Sequence, residues 1–133
     1  MKIPAAILFI LSTLANGAFA QTGNFVLDAN KFLTEEVPRM QAAVEAKDRV
    51  YFASGLERVK SFVNSQGAKL ETSPPCAEAV SDFLIVGLCR ISPPGTLCEP
   101  TTFIPRFESN LAKCREAAKA NQAFQPPPAA RLN

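Results

Sequence analysis

The sequence predicts an all-α fold: a small four-helix domain whose last two helices form an antiparallel hairpin stapled by two disulfides. Three observations carry this. Apolar residues recur every three or four positions through four segments, and no stretch shows convincing strand alternation. Helix openers and breakers stand between those segments, at Thr34, Gly67, Ser73-Pro74 and Ser92-Pro93-Pro94-Gly95. All four cysteines lie in the second half of the chain, behind an export-type leader, and an even count in an exported small domain reads as two disulfides.

The leader comes first. Lys2 is followed by the apolar run Ala5–Leu11, and Ala18-Phe19-Ala20 is a small-x-small cleavage site. Residues 1–20 are therefore expected to be a signal peptide and the mature chain to open at Gln21. The apolar run is well short of the roughly 20 residues that cross a bilayer, so no membrane insertion of the mature chain is expected. Removing these twenty residues from the 133 leaves 113, one small domain. Removing Lys2 from the 14 basic residues leaves 13 against 12 acidic ones. That near-neutral balance argues against a general nucleic-acid binder.

Residues 21–27 read as a flexible lead-in, residues 28–121 as the helical domain and residues 122–133 as a Pro-rich flexible tail. The first helix is expected from Asp28 or Thr34 to Lys47, with Leu33, Val37, Met40 and Val44 at helical spacing. Pro38 is costly deep inside a helix and tolerated in a first turn, which favours a start at Thr34 or a kink there. The second helix runs from about Asp48 to Gln66 and stops at Gly67. Its expected buried stripe is Phe52, Leu56, Val59 and Val63, with Gly55 allowing a close helix–helix approach. Ser73 then caps a third helix opened by Pro74, carrying Cys76, Val80, Phe83, Leu84, Gly87 and Leu88. A fourth opens near Thr101 or Thr102, with Phe103, Phe107, Leu111, Cys114 and Ala118 in step.

The cysteine spacing is C-x12-C-x8-C-x15-C. In a continuous third helix Cys76 and Cys89 stand about 20 Å apart, whereas a disulfide needs Cα atoms within about 7 Å. An antiparallel hairpin instead brings Cys76 beside Cys114 and leaves Cys89 with Cys98 at the loop end. Cys76–Cys114 and Cys89–Cys98 are therefore expected, with crossed pairing as the alternative.

Much chemistry is missing. The chain has no histidine, the commonest general base. It has no C-x-x-C pair, no zinc-type spacing, no glycine-rich phosphate loop and no calcium-loop pattern. No catalytic residue, metal site or cofactor is expected. Ser61 beside Lys60 and Arg58, and the carboxylate pair Glu78 and Asp82, read as ordinary helix surface. Phe52, Phe62, Phe83, Phe103 and Phe107 either fill the core or line a cavity for an apolar ligand; their helical spacing favours core.

The stretch CRISPPGTLCEPTTFIPRF, from Cys89 to Phe107, is faintly similar to the Cys-rich segment of TrbM-type conjugal-transfer proteins, through Cys98-Glu99-Pro100 and Arg106-Phe107. The likeness covers under a fifth of the chain and transfers no functional residue. Helical periplasmic immunity proteins are similar in architecture alone: exported, small and disulfide-bonded.

These readings point to an exported, periplasmic or secreted, non-enzymatic binding protein. Its expected partner is another protein, which it serves as a secretion or conjugation accessory or as an immunity-type inhibitor. The alternative is a carrier of an apolar small molecule in a helical cavity. The expected contact surfaces are the tail and the loop from Ile91 to Thr101, with Ile91, Leu97 and Glu99 as binding residues, because a Pro-rich loop loses less entropy on binding.

Overall fold

A computed structural model describes residues 24–95 and 98–125, and among them there is no strand. Four α-helices follow one another: α1 (Phe25–Ala46), α2 (Arg49–Gln66), α3 (Pro74–Ile91) and α4 (Pro100–Ala123), with a 3-10 segment at Gly67–Thr72 between α2 and α3. The expected leader, the first residues of the lead-in and the last eight residues of the tail lie outside the described residues.

α1 starts at Phe25, three residues before Asp28 and nine before the Thr34 start that Pro38 favours. Asn24 caps it, its Oδ1 accepting from the Val26 N–H at 3.1 Å. Phe25, Val26, Ala29 and Leu33 are all buried, and together they outweigh the proline. Pro38 itself is exposed, as is Thr34, whose carbonyl loses its helical partner, so water can replace that bond. The helix ends at Lys47 in the left-handed region (φ 52°), and Asp48 at once caps α2 by accepting from Val50 and Tyr51 N–H. This two-residue link folds α2 back along α1.

α2 stops at Gly67 (φ 53°), as the sequence indicates. Its inner face differs from the expected stripe. Phe52 and Gly55 are buried, Val59 and Val63 are half-buried, and Leu56 is 48% exposed. The glycine sets this rotation: a Cβ on Gly55 would stand 2.9 Å from Leu84 Cδ2, so α2 and α3 approach through position 55 and turn Leu56 outward. At the start of α3 Ser73 makes no side-chain cap, although Pro74 does occupy the first turn. The 3-10 segment delivers the chain into α3 in place of that cap. α4 begins at Pro100, one or two residues before the expected threonines, with Glu99 at the cap position and no side-chain cap bond.

α3 and α4 form the antiparallel hairpin. Cys76 pairs with Cys114 (Cα–Cα 4.8 Å) and Cys89 with Cys98 (Cα–Cα 5.7 Å), the expected connectivity. Polar ties keep the same register: Asn110 Nδ2 donates to Glu78 Oε2 at 2.6 Å, and Arg106 donates twice to Asp82 Oδ2 at 2.8 and 3.0 Å. Each step forward along α3 meets a step back along α4. α1 runs beside α3, Phe32 meeting Phe83 edge-on at 5.8 Å, and its first turn lies against the last turn of α4, where Asn24 Nδ2 donates to Asn121 Oδ1 at 2.8 Å. The helices thus alternate up, down, up, down. Phe83, Leu33, Met40, Val80, Val86 and the Cys76–Cys114 bridge sit at the centre, all but sealed from water.

Candidate binding groove

Of the residues expected to bind, Ile91 and Glu99 are described, and they stand at the two ends of the loop that joins α3 to α4. Ile91 is half-buried against the core, at the last turn of α3. Glu99 is exposed but sits at the start of α4, where its carboxylate accepts from the Thr101 hydroxyl at 3.3 Å. Leu97 lies outside the described residues.

The side chains considered for catalysis are separated by their ion pairs. Lys60 is bonded to Glu57 at 3.0 Å, and Arg58 turns away from Ser61 to Glu36. Glu78 and Asp82 each take a different donor from α4 and hold the hairpin rather than sharing a ligand. Among the described residues no group of three or more His, Cys, Asp or Glu side chains is placed to hold a metal ion.

The most elaborate polar cluster is one that spacing did not reveal. Glu36 lies in the buried stripe of α1, its side chain 4% exposed. Arg58 grips it with both arms, Nε to Oε1 and Nη2 to Oε2, each at 2.9 Å. Arg39 adds a bond to Oε1 at 3.2 Å and the Tyr51 hydroxyl one to Oε2 at 2.9 Å. Arg58 also lies over the Tyr51 ring, 5.1 Å from its centre. Burial pushes the Glu36 carboxyl up, but the hydrogen bonds from Arg58 and Tyr51, with the charges of Arg58 and Arg39, outweigh it and hold the group below its ordinary value. Burial, followed by the hydrogen bond and charge of Glu36, pushes the Tyr51 phenol up to about 12. A carboxylate with both oxygens doubly engaged is a poor general base. It is a charge-assisted tie between α1 and α2.

The phenylalanines divide. Phe52, Phe83 and Phe107 are buried in the core. Phe103 is half-buried near the start of α4, with Arg106 over its ring at 4.7 Å. Phe62, also half-buried, stacks on Phe32 of α1, ring centres 4.6 Å apart, and that pair floors a solvent-open groove of about 400 Å³. The groove's walls are Asp28, Lys31 and Glu35 from α1 and Gln66 from the last turn of α2. Asp28, Lys31, Phe32 and Glu35 share one face because they step by three and four.

Two carboxylates against one ammonium leave the rim negative at neutral pH. Gln66 Nε2 leans toward Asp28 Oδ2 at 3.5 Å, while Gln66 Oε1 is buried and accepts no hydrogen bond among the described residues. The arrangement suits an extended or side-chain ligand with an apolar group for the stacked rings and a cation for the acidic rim. Phe32, Asp28, Glu35 and Gln66 were not singled out by spacing. The signal available was a second apolar position, Phe32, next to the main stripe of α1. The groove lies where α1 begins and α2 ends, whereas the Ile91–Thr101 loop lies at the opposite end of the bundle. Among the described residues no helix is long and apolar enough to cross a membrane. The chain matches no protein-family model, no curated protein and no solved structure.

Proposed function

We propose that this is an exported, non-enzymatic binding module, periplasmic or secreted, that holds a short segment of another protein in the groove between α1 and α2. The carrying observation is the stacked Phe32–Phe62 floor beneath a net negative rim. Charge complementarity selects a segment that presents a basic residue next to an aliphatic or aromatic one. Export is supported by the pairing of all four cysteines, a state typical of oxidising compartments. The accessory and immunity roles both require such a protein-binding surface.

Panning a random peptide display library against the oxidised protein tests the reading. Enrichment of peptides with adjacent basic and apolar residues is expected, and Phe32→Ala or Phe62→Ala should abolish it. Equal enrichment on the wild type and both variants would overturn it. Stoichiometric binding of an uncharged apolar dye that excludes the selected peptides would assign the groove to the small-molecule carrier role instead.

A further inference from the structure

We infer that the groove also takes a second copy of this chain: the turn between α1 and α2 of one protomer docks on the other, with Val50 on the Phe32–Phe62 floor and Arg49 on the acidic rim. The inference rests on the groove being a binding site and adds its regulation, because a groove filled by another protomer must be vacated before a partner segment can enter.

The exposed apolar side chains select that turn. Among the described residues four large ones are exposed: Val50 at 77%, Leu56 at 48%, Ile85 at 38% and Phe124 at 88%. Of these, Val50 alone has a basic neighbour in the chain, Arg49, which is itself exposed. Leu56 is followed by Glu57, the wrong sign for an acidic rim, and the neighbours of Ile85 and Phe124 are uncharged. Arg49 and Val50 therefore have the adjacent cation and aliphatic group that the rim and floor require. They are also held in place before docking. Both lie in the first turn of α2, which Asp48 caps through Oδ1, so little backbone freedom is lost on binding.

The remaining charges of the turn fit the rim. Lys47 ends α1 directly before the cap and adds a second cation. Glu36 faces α2, where Arg58 grips it, and Glu45 lies nine residues further on, about half a turn round the helix. Glu45 is thus on the face of α1 turned away from α2. Asp48 spends one oxygen on the cap, and its charge matches Lys31, the cation among the groove walls.

Distance forbids the same contact within one protomer. Val50 and Phe62 are twelve residues apart on the unbroken α2, about 18 Å. The turn and the groove lie toward opposite ends of the α1–α2 pair, so only the turn of another protomer can enter. The contact joins two unlike surfaces, and each protomer offers one of each.

Sedimentation of the oxidised protein over roughly 10 µM to 1 mM tests this, a range suited to a contact smaller than a standard interface. Self-association is expected, and added salt should weaken it by screening the ion pairs. Val50→Asp, Arg49→Glu and Glu35→Lys should each weaken it about tenfold by setting like charges together or burying a charge on the rings. All three residues are exposed, so the fold should be kept, which circular dichroism checks. Mixing Arg49→Glu with Glu35→Lys should restore a one-to-one complex, since the first keeps an intact groove and the second an intact turn. A display-selected peptide in excess should dissociate the wild-type assembly. A wild type that stays monomeric overturns the inference. So does association that Val50→Asp or salt leaves unchanged, that the mixture does not restore, or that the peptide does not disperse. The two readings fail separately: if the protein is monomeric but binds selected peptides through Phe32 and Phe62, only the contact between copies is lost. If it does neither, the groove reading falls with it.

Discussion

Replacing Gly87 by alanine sets two physical effects against each other. In the middle of α3, alanine is favoured over glycine by about 1 kcal/mol of helix propensity. Propensity alone therefore makes Gly87→Ala stabilising. The packing says otherwise. A Cβ at this position would stand 2.5 Å from Phe52 Cε1 and 2.8 Å from both Cγ and Sδ of Met40. Phe52 is 5% exposed and Met40 1%, so neither has open space to retreat into. The methionine can rotate away in part, but the ring edge belongs to a rigid side chain, and relief there means moving α2 off α3. Forcing a methyl into such a site costs about 1–3 kcal/mol. The ring contact places this case at the upper end. After the propensity gain the net loss is about 2 kcal/mol, which lowers Tm by about 10 °C for a domain of this size. Gly55→Ala is the internal control. Its Cβ would meet Leu84 methyls at 2.9 and 3.4 Å, the far end of a flexible side chain, and Arg58 Nη2 at an ordinary contact distance of 3.5 Å. That variant should stay within about 1 kcal/mol of wild type. Urea unfolding followed by circular dichroism at 222 nm, with the disulfides intact, measures both. Gly87→Ala at or above wild-type stability would refute the close-approach argument, and so would an equal loss at Gly55.

Three further outcomes follow from the ties between helices. Because the folded Glu36 carboxyl titrates below its ordinary value, the unfolded chain binds the extra proton between the two values, so stability rises with pH there. The contribution of Glu36 is complete above about pH 4.5 and is lost as pH falls through the folded value, and Glu36→Gln should flatten that acid limb in urea titrations from pH 2 to 7. Tyr51 acts at the alkaline side: its phenol, raised to about 12, adds stability that is present below about pH 10 and lost as pH rises toward 12, and Tyr51→Phe should remove that loss in alkaline melts. Opening Cys76–Cys114 by paired Cys→Ser changes should cost about 4 kcal/mol on the chain-entropy relation, against about 2.5 for the shorter Cys89–Cys98 loop. An inverted order in chemical denaturation would show that native packing rather than loop length sets their worth.

The sequence by itself determined the all-α class, the stop at Gly67, the Asp48 boundary and the disulfide pairing. Each of these follows from local or one-dimensional physics. Glycine adopts a positive φ at no steric cost, aspartate accepts from the first free N–H groups, and thirteen residues of helix hold Cys76 too far from Cys89. The start of α1 was not read from the sequence, where Pro38 favoured Thr34; the structure starts the helix behind the Asn24 cap. Only the tertiary structure decided that contest, because the burial of Phe25, Val26, Ala29 and Leu33 is a sum over partners on α2, α3 and α4. The same holds for the rotation of α2, which the close approach at Gly55 sets and Leu56 cannot. The groove was out of reach for a related reason. Phe32 and Phe62 are thirty residues apart, and nothing in the spacing of either helix says that the two rings stack. Periodicity shows which face of one helix is apolar; which two faces meet, and what remains open between them, is settled only when all four helices pack at once.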